Sequence, residues 1–119
     1  MATVKETLEA IMKIDGAIAT SIVDSNNGFM LGAEGKGLDL EYASAGNTEL
    51  YHAKMKIMKT LNINERIEDF LITLESQYHI LYPIPHIEGT FVYFVMRKDG
   101  GTLALARRSI QAAAKELTL

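Results

Sequence analysis

Phe91-Val92-Tyr93-Phe94-Val95-Met96 is apolar at every position, and Phe70-Leu71-Ile72-Thr73-Leu74 is apolar at all but one. Successive residues of a strand point to opposite faces of a sheet. A sheet built from such strands needs cover on both faces, unlike an antiparallel sheet with one wet side, whose strands alternate apolar and polar residues. Working outward, strands are predicted over residues 68–75, 78–83 and 90–97, the first two joined by a tight turn near Ser76-Gln77.

Upstream, residues 39–61 read as the longest helix. Leu50, Lys54, Ile57 and Leu61 fall on one stripe, taken as the inward one, with Tyr51, Met55 and Met58 beside it. Gly46-Asn47 lies within this stretch and marks a bend or a late start. Before it, residues 17–23 and 29–33 flank Asp24-Ser25-Asn26-Asn27-Gly28, and an Asn-Gly step between short apolar runs signals a hairpin. Gly35-Lys36-Gly37 reads as a mobile link. The chain opens on a helix: Thr3 and Glu6 have capping-box spacing, and Val4, Leu8, Ile11 and Met12 recur helically as far as Asp15-Gly16. It closes on another, with Thr102 as N-cap and Leu103, Ala106, Ile110, Ala113 and Leu117 on one face. The order is α-β-β-α-β-β-β-α over residues 1–119, an α+β domain around one five-stranded antiparallel sheet with helices on both faces.

Widths then matter. Five strands span about 20–25 Å, whereas one helix covers roughly 10 Å. The first and last helices can cover one face, but the central helix covers only about half of the other. An apolar strip of that size marks an interface, and a two-fold homodimer through the central helices closes the gap. The edge strand over residues 68–75 offers a second contact by pairing with its own copy.

Composition narrows the chemistry. Twelve basic against fifteen acidic residues give a net charge of -3, which argues against a nucleic-acid binder. Cysteine is absent, which removes disulfides, thiol catalysis and cysteine-ligated zinc. No apolar run is long enough to insert in a membrane, and charges interrupt the first thirteen residues, unlike a secretory signal; a cytoplasmic setting is expected. His52, His79 and His86 lack metal-ligand spacing. Gly35-Lys36-Gly37 lacks the third glycine of a dinucleotide loop, and no P-loop motif occurs. Glu65, Arg66, Glu68 and Asp69 read as a solvated or partner-facing rim, and Arg97, Lys98, Arg107 and Arg108 as a solvated face or, alternatively, one that meets an acidic partner. No catalytic group, cofactor or metal is expected.

The chain resembles the roadblock/LC7 (MglB-like) family along nearly its whole length. The residues that carry the likeness are Ile14-Asp15-Gly16-Ala17, the hairpin from Val23 to Leu31, Leu40-Glu41-Tyr42-Ala43, Phe70 to Leu74, Gln77 to Pro83, and Leu103-Ala104-Leu105-Ala106-Arg107-Arg108. The resemblance implies a profilin-like sheet with two helices on one face and one on the other, paired through the central helix and third strand. It further implies a non-catalytic regulator or scaffold, some relatives binding a small Ras-like GTPase on the face of the paired helices. Carried onto this chain, the interface positions are Tyr51, Lys54, Met55, Met58 and Lys59, with Phe70, Ile72 and Leu74 from the strand. Where relatives have bulkier residues, Gly100-Gly101 implies a looser entry to the last helix. Two other readings stand beside this one. A small-molecule sensor of PAS or GAF type would need a cavity with polar groups such as Tyr93, His79 and Thr73; a structural subunit would only anchor other proteins.

Overall fold

The computed structural model describes residues 1–119. Eight elements follow the expected order: α1 (Val4–Ile11), β1 (Ala17–Asp24), β2 (Phe29–Gly35), α2 (Leu40–Thr60), β3 (Phe70–Thr73), β4 (Gln77–Pro83), β5 (Thr90–Arg97) and α3 (Leu103–Lys115). The five strands form one sheet in the order β2-β1-β5-β4-β3, every neighbouring pair antiparallel. The most apolar strand, β5, is therefore central, where both of its faces are covered.

On one face α1 and α3 pack side by side. Their Leu8, Ile11, Ala106 and Ile110 meet Ile22, Ile80, Val92, Phe94 and Met96 of the sheet. On the other face Val23, Leu81, Phe91, Tyr93 and Val95 form a smaller core, joined by Leu40 and Ala43 of α2. The alternation along β5 assigns its even residues to the first core and its odd residues to the second.

Local chemistry explains the element ends. The Thr3 and Glu6 side chains each accept from the other's backbone N–H, which completes the capping box of α1. In the β1–β2 turn the Asp24 carboxylate accepts from Asn26 N–H at 2.9 Å, and Gly28, at φ 77°, takes the left-handed conformation that closes the hairpin. A backbone bridge between Ala2 and Leu117 ties the two chain ends together beside the first core.

Several expectations are corrected. Helix α1 ends at Ile11, with Met12 as its cap. Gly46-Asn47 does not delay α2, which runs unbroken from Leu40 to Thr60 with Asp39 capping its start, and the Asn47 side chain donates to Ala43 O at 2.8 Å. The supposed link at Gly35 still belongs to the sheet: Gly35 ends β2, and Lys36 N–H donates to Ile18 O. Strand β3 keeps four residues rather than eight, because Leu74 already bonds Gln77 across the turn.

The entry to α3 is tight rather than loose. Gly100 lies against Gly16, and a Cβ on Gly100 would stand 2.5 Å from the Gly16 Cα. Backbone cannot yield as a side-chain end can, so the two glycines let the α1–β1 turn and the β5–α3 turn touch. Gly100→Ala is expected to lower unfolding stability by about 1–3 kcal/mol, the usual cost of overpacking, with Gly46→Ala, whose added Cβ meets nothing within 4 Å, as the comparison in urea titrations.

Candidate interaction face

Helix α2 lies over β1 and β2, leaving the β4–β3 half of that face thinly covered. Its inward line is Ser44, Thr48, Tyr51 and Met58, the reverse of the sequence reading. The reason lies in the first two residues. Ser44 Oγ meets Ser21 Oγ of β1 at 2.9 Å, and Thr48 Oγ1 donates to Ser44 O at 2.8 Å. Small hydroxyl side chains with their bonds satisfied allow close approach to the sheet, which hydropathy alone assigns to the apolar stripe instead.

That apolar stripe runs along a flank. Leu50, Ile57 and Leu61 are 40%, 51% and 61% exposed, with Lys54 exposed among them. At 100° per residue they share a flank with Ala43 and Asn47, and Ala43 packs against the core that holds Phe91, Tyr93 and Val95 of β5. Glu41 and Ala45, on the opposite flank, border Met30 of β2. The apolar flank is therefore the one turned toward the uncovered half-sheet.

The residues singled out from sequence divide accordingly. Tyr51 is half-buried, its ring centroid 6.1 Å from that of Phe70 and 6.0 Å from that of Phe91; it braces β3 to β5. Met58 is buried within the chain. Lys54, Met55 and Lys59 are exposed, Phe70 and Ile72 are half-buried, and Leu74 is exposed just past the end of β3. Strand β3 closes the sheet on this side, and its outer edge carries no partner strand.

Two polar features of this region differ from the sequence reading. Arg107 and Asp69, each placed on a solvated rim, instead form a two-pronged ion pair: Nε donates to Oδ2 at 2.8 Å and a terminal nitrogen to Oδ1 at 3.1 Å. Asp69 is largely buried there, so α3 holds the chain where it enters β3. Lys98 likewise stands over the Tyr78 ring at 5.6 Å, while Arg108 is exposed. No periodicity links positions 69 and 107, which is why the pair was not legible.

The second feature is a polar chain crossing the uncovered half. The Tyr93 hydroxyl meets His79 Nδ1 at 3.1 Å, and His79 Nε2 meets Gln77 Oε1 at 2.9 Å. With Gln77 accepting, Nε2 carries the imidazole proton and Nδ1 accepts from the phenol. Thr73, grouped with these two for a sensor cavity, sits across from Tyr78 on the other face. Burial pushes the His79 imidazole below its ordinary value and the Tyr93 phenol up, the nearby Asn47 amide working against the latter.

A histidine held neutral in the fold binds its proton more readily when unfolded. Its contribution to stability is therefore present above about pH 6.5 and lost as pH falls from there through the lower folded value. The urea midpoint is expected to drop between pH 7.5 and 5.5, and to drop less in His79→Gln; an equal drop in both proteins would assign it to other groups.

No family model and no curated protein matches the chain. Solved structures do. A roadblock/LC7 domain from Streptomyces avermitilis superposes with a TM-score of 0.82 at 10% identity, covering 96% of this chain and 93% of its own. Myxococcus xanthus MglB gives 0.79 at 16% identity, covering 92% and 89%. MglC, also from Myxococcus xanthus, gives 0.61 at 18%, covering 94% and 93%. With sheet order, helix placement and near-complete coverage in agreement, the chain has the roadblock/LC7 fold.

Proposed function

We propose that two copies of this chain pair through α2 and β3, and that the paired helices form a non-catalytic platform for a small Ras-like GTPase. The observation that carries the reading is the half-covered sheet face, bordered by the exposed flank Leu50, Ile57 and Leu61 and by the open edge of β3. An apolar flank beside an unpaired strand favours a partner that supplies both a helix and a strand, and a second copy supplies both by symmetry. Relative to the positions chosen from sequence, Lys54, Met55, Lys59, Ile72 and Leu74 stay in the interface, Tyr51, Met58 and Phe70 support it from beneath, and Leu50, Ile57 and Leu61 join it. The fold shared with MglB and MglC supports the same reading.

A platform of this kind acts by position. It stimulates hydrolysis to the extent that it binds the active switch conformation more tightly than the inactive one. An arginine supplied in trans adds far more rate, but none lies on α2, and Arg107 is held by Asp69.

Sedimentation is expected to show a dimer, with Ile57→Asp raising its dissociation constant by about tenfold or more. Single-turnover GTP hydrolysis by a Ras-like GTPase of the same cell is expected to be stimulated by the unsubstituted protein and by Arg108→Ala, and not by Ile57→Asp. A lone subunit at roughly 100 μM, a concentration far above ordinary dimer constants, would overturn the pairing. Loss of stimulation in Arg108→Ala would overturn the positional mechanism.

A further inference from the structure

The sheet has a second open edge, on the side away from β3. Strand β2 ends the order there. Lys36 N–H bonds Ile18 O, and the same register sets Glu34 opposite Thr20 and Gly32 opposite Ile22. Antiparallel alternation then turns the N–H and C=O of Ala33 and Gly35 outward. Natural edges are commonly guarded by lysine, proline, a bulge or a covering segment, and here the one bulge lies toward the turn, before Gly32. Between Phe29 and Gly35 there is neither lysine nor proline, and Phe29 and Leu31 are 70% and 42% exposed.

A groove flanks this edge on each face. Toward α1, a groove of about 400 Å³ is bordered by Val4, Leu8 and Leu31, with Lys5 and Glu34 balancing each other in charge. Leu31 is the additional residue of a bulge, where the pairing passes from Ile22–Gly32 to Val23–Met30. Toward α2, a groove of about 450 Å³ is bordered by Phe29, Met30 and Ala45, and its one charged side chain is Glu41. Main-chain groups along the rim, an apolar slot on one side and an apolar slot with an acid on the other, together describe an extended chain.

We propose that the outer edge of β2 receives an extended segment of a partner protein as a sixth strand, with apolar side chains entering the α1 groove and alternating lysines or arginines lying along the α2 groove toward Glu41. A long cationic side chain suits that second groove because its stem is apolar and its end is charged. The β2 strand of a second copy holds no lysine or arginine between Phe29 and Gly35 to set against Glu41, so a basic segment fits better than a second copy. The site uses only the first turns of α2, on the flank away from Leu50, Ile57 and Leu61, and does not depend on the GTPase reading.

The probe is a capped seven-residue peptide alternating valine with lysine or arginine, titrated into the isotope-labelled protein and followed by amide NMR shifts. Shifts are expected along β2 and its two flanks. N-methylation of the peptide bonds that face β2, or glutamate in place of the basic residues, is expected to weaken binding about tenfold. Ala33→Pro removes an outward N–H without touching the β1 ladder and is expected to do the same; if that variant does not fold, the N-methylated peptide with the unsubstituted protein decides. Shifts confined to β3, affinity unchanged by N-methylation, or no binding at about 1 mM would overturn the proposal. So would β2 shifts that follow protein concentration without peptide, which would make a second copy the occupant.

Discussion

A single helix has to shelter one whole face of a five-stranded sheet, and it cannot. Helix α2 satisfies this constraint only for β1 and β2, where the Ser21–Ser44 contact draws it close. Tyr51 then extends its reach over β5 and toward β3. The opposite face has two helices and a larger core, so the two sides of the sheet are unequal by construction. The exposed flank of α2, the half-covered β4–β3 region and the polar chain through His79 all lie where the cover runs short.

How much of this was legible follows from which forces have a sequence period. The strands β4 and β5, the capping box at Thr3 and Glu6 and the Asn27-Gly28 turn were readable because alternation, fixed spacing and positive φ leave local marks. The rotation of α2 was not. Its buried line begins with Ser44 and Thr48, which hydropathy scores as outward, and only the partner hydroxyl and carbonyl make them inward residues. The length of β3 was misread for a related reason: residues 68 and 69 look extended, but Asp69 is spent on Arg107, thirty-eight positions away.

The ion pair and the two glycines share a role. Asp69–Arg107 ties the approach to β3 onto α3, and Gly16–Gly100 seats the turn before α3 on the turn before β1. Helix α3 thus connects structurally to both sides of the sheet, although it never touches the uncovered face. A charged pair with one partly exposed member contributes modestly to stability; its larger effect is to fix where an edge strand begins.

The bridge between Ala2 and Leu117 has a practical corollary. The Met1 ammonium also reaches Glu116, and His86 Nε2 bonds Leu117 O at 2.9 Å, so the two ends leave the molecule side by side on its better-insulated flank. A label, tether or fused module attached at either end would stand clear of the helix and strands that carry the apolar border. The protein can therefore be immobilised by its ends with the exposed flank of α2 and the edge of β3 still facing the solution.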